Sequence, residues 1–133
     1  MAKEAPILTV SVDDAVPALI DISNDVTGVD FATPRGVQDS TGMDKTAHER
    51  LLLLADFSVT LKGIFNDAAG KSHATFKTIP STAVTRTVTL VMSGQTLTNE
   101  CVLTDYALTR GADGSLTWTV PGALQDGTAP TWS

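Results

Sequence analysis

Apolar and polar residues alternate with a period of two along most of the chain, the pattern of strands with one face buried. Ile7-Leu8-Thr9-Val10-Ser11-Val12 predicts a first strand, and Ala18 to Ser23, entered through Pro17, a second. Phe57, Val59, Leu61 and Phe65 share one face, while Ser58, Thr60 and Lys62 share the other. Val84, Val88, Leu90 and Met92 line one side of a further strand, closed by the tight turn Ser93-Gly94-Gln95. Leu97 to Arg110 continues antiparallel, with Val102, Tyr106 and Leu108 in one register. Asp113-Gly114 is a hairpin turn signal, and Ser115 to Val120 then alternates cleanly.

Three stretches depart from this alternation. Asn24 to Asp44, punctuated by Gly28, Pro34, Gly36 and Gly42, predicts a long loop that still carries Val29, Phe31 and Val37. Ala47 to Phe65 predicts a hairpin or two consecutive strands; His48 to Leu54 could make a helical turn, but Asp56 and the strand after it favour an extended form. Ser72 to Ile79 predicts the one short helix, with Ser72 as N-cap and Pro80 as its close.

About seven strands and one short helix in antiparallel order describe an all-β domain, a β-sandwich or a small barrel-like sheet. No repeat at a solenoid period is present. The 133 residues suit a single domain, 1–133, with 42% hydrophobic and 18% charged residues. Threonine is abundant, at about twenty positions, as half-buried sheets favour. Met1–Pro6 and Ala123–Ser133, punctuated by Pro or Gly, are expected as mobile arms.

Charge narrows the function. Nine Lys and Arg against fifteen Asp and Glu give a formal net charge of −6. That is the wrong sign for neutralising phosphates or adhering to anionic membranes. No apolar run reaches the ~20 residues of a membrane span, and the N-terminus lacks the apolar core of a signal peptide. With Cys101 as its lone thiol, the chain has no internal disulfide and is expected to fold in a reducing cytoplasm.

Candidate chemistry is sparse. His48 and His73 with Cys101 do not match any zinc spacing, and both histidines read as surface residues. No Gly-x-Ser-x-Gly elbow and no phosphate-cradling glycine loop occur. Cys101, beside Val102 and Leu103, reads as a buried structural thiol. Asp13-Asp14 and the pair Asp39 and Asp44 read as turn residues bonding their own backbone, the second pair ahead of a weak calcium site. Trp118 reads as core; Trp132, one residue from the end, must dock either on its own domain or on a neighbour. No catalytic, metal-binding or cofactor-binding residue is assigned, and the expectation is a non-enzymatic structural or binding protein.

The order of features resembles the tail tube (major tail) proteins of long, non-contractile-tailed bacteriophages. The resemblance rests on Ala18 to Ser23 leading into the 24–44 segment, Phe57 to Asp67, Lys71 to Ile79, Leu103 to Arg110, Asp113 to Val120, and the ending Asp126-Gly127-Thr128-Ala129-Pro130-Thr131-Trp132. It implies a sandwich or barrel-like core flanked by a helix, with subunits forming hexameric rings that stack into a tube for genome passage. It implies self-association, contacts with tail tip, terminator and tape measure proteins, and viral DNA that slides through an acidic lumen without specific binding. No membrane is involved; the place is the virion tail, assembled in the bacterial host cytoplasm. On this reading the 24–44 loop bridges subunits, and Phe31, Pro34, Arg35, Val37 and Trp132 are the expected inter-subunit contacts. The alternatives are another tail part, a terminator or adaptor, or an unrelated β-sandwich interaction module. A ligand barrel or an enzyme comes last.

Overall fold

The computed structural model describes residues 7–14 and 18–133. Its strands are β1 (Leu8–Asp13), β2 (Leu19–Asp21), β3 (Val26–Ala32), β4 (Arg35–Asp39), β5 (Arg50–Ala55), β6 (Ser58–Ile64), β7 (Arg86–Met92), β8 (Gln95–Leu103), β9 (Ala107–Arg110) and β10 (Leu116–Leu124). The single helix, α1, spans Ser72–Phe76. The main sheet runs β2-β1-β7-β8-β10-β6-β3, with β9 also on β10, and all pairs are antiparallel. The protein is therefore mainly antiparallel β, as the alternation predicts, and its sheet is open, ending at β2 and β3. The N-terminal arm 1–6 and the role of Pro17 lie outside the described residues.

The core lies where inward positions of both halves of this sheet meet. Val10 and Val12 of β1, Val88 and Leu90 of β7, Leu97, Cys101 and Leu103 of β8, Val59 and Leu61 of β6, and Trp118 and Val120 of β10 are buried. Phe76 of α1 closes one end, its ring 5.1 Å from that of Trp118 and 5.7 Å from that of Tyr106. Trp118 and Cys101 are core residues, as their places in alternating strands predict. Burial, with the nearby Glu100 and Asp126, pushes the Cys101 thiol up to about 12, so it stays protonated and inert.

The strand expected over Leu97 to Arg110 is interrupted. Cys101, Val102 and Leu103 oppose Leu124, Ala123 and Gly122, whereas Ala107 to Arg110 oppose Thr119 to Leu116. Three residues, Thr104 to Tyr106, thus face two on β10, a bulge that shifts the register by one. The single register expected for Val102, Tyr106 and Leu108 does not survive it. Val102 points outward and Tyr106 turns in beneath the helix.

Ser72 does not cap α1. Lys71 is the N-cap, without a side-chain bond, and the Ser72 N–H donates to Asp25 Oδ2 at 3.0 Å from 47 residues away. Asp25 also accepts from Asn66 Nδ2 at 3.0 Å. Burial opposes the charge on this carboxylate, but the hydrogen bonds from Asn66 and Ser72 and the nearby Lys71 outweigh it and hold its pKa below the ordinary value. After β1, the Asp14 N–H donates to Ala18 O and Asp14 Oδ1 accepts from Ala18 N.

Candidate assembly interface

The segment expected as a loop over 24–44 is mostly strand. Val26–Ala32 pairs with β6, and Arg35–Asp39 pairs with β5. The two pairings form one ribbon: Ala32 opposes Ser58, Asp56 N donates to Pro34 O at 2.9 Å, and Arg35 opposes Ala55. The inner half is held in the sheet because β6 also pairs with β10. The outer half, β4–β5, is a separate two-stranded sheet. At ~3.4 Å per residue, Pro34 to Asp39 carry it about 20 Å beyond the body. Ala47 to Phe65 is accordingly two consecutive strands, β5 and β6, each paired with an earlier strand.

Every residue from Ala32 to Leu54 is exposed. Val37 pairs with Leu52 and Gln38 with Leu51, so Val37, Leu52 and Leu54 occupy one face and Leu51 and Leu53 the other. Leu54 is 91% exposed and Met43, in the connecting loop, is fully exposed. A continuous apolar strand is the signature of burial on both faces, and here neither face is covered within the chain. The connecting loop is, in contrast, bound into a defined shape. Ser40 N donates to Glu49 O, Glu49 N donates to Thr41 Oγ1, and Asp39 Oδ1 accepts from Thr41 N at 2.9 Å. These bonds from Thr41, with His48 nearby, lower the Asp39 pKa. Asp39 is the turn residue its sequence context predicts.

The expected contact residues divide in two. Pro34, Arg35 and Val37 lie at the base and along β4 of the projecting hairpin, where Arg35 Nε donates to Leu53 O at 2.9 Å. Phe31 lies on β3, half-buried against the core. Trp132 docks on its own domain: it bridges to Leu97, Ser133 and Thr96 exchange backbone hydrogen bonds of 2.8 and 2.9 Å, and its ring centroid is 6.1 Å from that of Phe31. The segment expected as the arm 123–133 therefore begins inside β10 and ends on the edge of β8. Sequence reasoning missed Leu51 to Leu54 as candidate contacts. Their signal was present, since four consecutive leucines between Arg50 and Ala55 fit neither a half-buried strand nor a short surface turn.

Two further features bear on assembly. β3 and β9 each pair with only one named strand, leaving edges at both sides of the β9-β10-β6-β3 half. The outward positions of that half carry Ser58, Thr60, Lys62 and Ile64 of β6, Ala107 and Thr109 of β9, and Thr117, Thr119, Pro121 and Ala123 of β10. The cation among them, Lys62, is 3.6 Å from Asp30.

The histidines are not alike. His48 is exposed, its Nδ1 3.5 Å from Asp39 Oδ2. His73, expected at the surface, is half-buried between Phe65 at 4.7 Å and Tyr106, with Nδ1 3.2 Å from the phenol oxygen. The tertiary partners supplied by the bulge at 104–106 account for the difference. No group of three or more His, Cys, Asp or Glu side chains that could hold a metal occurs among the described residues. No helix among them is long and apolar enough to cross a membrane.

No family model and no curated protein matches the sequence. Solved structures do match the fold over nearly the whole chain. A chain of the virion of the native gene transfer agent particle is similar with a TM-score of 0.75 at 14% identity, covering 99% of both chains. A chain of the tail of the empty gene transfer agent particle, obtained by helical refinement with C6 symmetry, is similar at 0.74 and 14%, again over 99% of both. A chain of the six-fold symmetrised anti-feeding prophage baseplate is similar at 0.66 and 13%, covering 100% of this chain and 96% of that one. The chain shares its fold with these tail and baseplate chains.

Proposed function

We propose that the protein is a structural phage tail protein, the tube subunit that polymerises as stacked hexameric rings around a channel for genome passage. The observation that carries this reading is the β4–β5 hairpin, about 20 Å of ribbon with leucines exposed on both faces. Burying one leucine side chain is worth ~1.5–3 kcal/mol, so such a hairpin is stable in water chiefly as half of an interface. The open edges of β3 and β9 support lateral growth. Edge-to-edge pairing between unlike edges is head-to-tail, and such contacts close into a ring when the rotation permits. The hydroxyl-lined outward face of β6 and β10, with its cation paired, suits a surface that DNA passes without being held. The virion tail as location, and contacts with tip, terminator and tape measure proteins, belong to the same proposal, as does the absence of catalysis.

Replacing residues 34–56 by a two-residue Asn-Gly turn between Thr33 and Phe57 tests it. The inner ribbon retains its pairing with β6 and β10, so the variant is expected to fold, with a cooperative thermal transition and a sedimentation coefficient that stays monomeric as concentration rises. The full chain is expected to sediment as rings and longer polymers. A truncated variant that polymerises as the full chain does removes the hairpin from the interface.

A further inference from the structure

We infer that the apolar hairpin of one copy seats in a groove at the helix end of the next copy along the tube axis. The inference rests on the tail-tube reading and names the acceptor surface for its central contact. The groove, of about 310 Å³, lies between the segment after α1 and the bulge before β9. Its apolar lining comes from Ile79, Pro80, Tyr106 and Leu108, with Lys77 and Asp105 beside them. Leu108 is 44% exposed although it pairs with buried Trp118 and so faces the core side of the sheet. With Ile79, Pro80 and Tyr106 it forms one contiguous apolar surface rimmed by Lys77 and Asp105, the make-up of a docking site.

The position of the groove identifies the occupant. β3 starts at Val26, beside Asp25 and the N-terminus of α1, and ends at Ala32, where the hairpin departs. Leucine hairpin and apolar groove thus lie at opposite ends of the same strands, separated by the seven residues of β6, or about 23 Å. A contact between unlike, opposite ends is head-to-tail and repeats without limit along one axis. The hairpin cannot fold back into its own groove across that distance, so a hairpin seated there comes from a second copy of this chain. The charges agree. Asp39 and Arg50 pair across the outer end of the face carrying Val37, Leu52 and Leu54, giving one charge of each sign to meet Lys77 and Asp105.

Disulfide trapping tests the contact. Leu52→Cys and Leu108→Cys chains are mixed, allowed to assemble and mildly oxidised; Lys77→Cys provides a second acceptor position should Leu108→Cys disturb the sheet. Buried Cys101 stays silent. The 52–108 or 52–77 cross-link is expected in about tenfold excess over a control pair with Thr60→Cys on the outward face, as effective concentration in a docked pair dictates. Polymers that form without that excess overturn the groove assignment and leave the tube reading intact. Chains that neither assemble nor cross-link overturn both.

Discussion

Gly63→Ala is expected to be among the most damaging single substitutions in this chain. Gly63 stands on β6 opposite Trp118 of β10 and Val26 of β3. A Cβ there would come within 2.2 Å of the Asp25 carbonyl oxygen and 2.4 Å of Trp118 Cζ2. Neither neighbour can yield cheaply. The Asp25 carbonyl accepts from Ile64 N at 2.9 Å, and its side chain is tied to Asn66 and Ser72. The Trp118 indole donates to Ile64 O at 2.9 Å and packs on Phe76. Overpacking commonly costs ~1–3 kcal/mol and more where backbone must move, so a loss of about 4 kcal/mol is expected in urea unfolding. Gly28→Ala provides the contrast, since nothing lies within 4 Å of its added Cβ; a shift within ~0.5 kcal/mol is expected there. Equal losses at both positions would show that the clash with Trp118 does not decide the outcome.

The second large effect is expected at Arg86, which opens β7 at 1% exposure. Its guanidinium donates to the carbonyls of Thr75 and Asp13 and, at 2.8 Å, to the Thr78 hydroxyl. It thereby ties the end of α1 and the turn after it to β1. Burial draws its pKa down, while Asp14 and Asp13 partly restore it; an arginine remains charged regardless. Arg86→Leu takes the guanidinium donor from the buried Thr75 carbonyl and from two part-buried oxygens, each at up to ~1–3 kcal/mol, so a total of about 3–5 kcal/mol is expected. That is a large part of the ~5–15 kcal/mol stability of an ordinary domain. Arg86→Lys keeps the charge but not the fork of donors and is expected to fall between the two. Limited proteolysis gives an independent readout, with new cleavage between Thr75 and Thr85 in Arg86→Leu. A leucine variant with wild-type stability and the same cleavage pattern would rule out the clamp.

The strands that build the body were legible because each keeps one face in the core. Phe57, Val59 and Leu61, or Val88 and Leu90, alternate with polar residues and are buried. The leucine strand β5 was legible as extended, but β4 and the pairing of the two were not, for the complementary reason. β4 is Arg-Gly-Val-Gln-Asp and β5 is four leucines, and neither has period two because neither has a buried face within the chain. The hairpin's glycines and Pro34 read as loop punctuation, although Pro34 sits where the ribbon crosses from sheet to projection. Long-range partners explain the remaining differences. Asp25 takes the Ser72 N–H, Tyr106 takes His73, and a one-residue bulge exchanges the roles of Val102 and Tyr106. Of the expected contacts, Pro34, Arg35 and Val37 fall on the projecting hairpin, while Phe31 and Trp132 meet each other.

Negative-stain electron microscopy of the purified full chain, fresh and after days at high concentration, bears most directly on tail assembly. Long hollow tubes with a regular axial repeat and sixfold end views are expected. Single rings that never lengthen would contradict a tube subunit and favour a terminator, and a chain that stays monomeric at every concentration would contradict self-assembly itself.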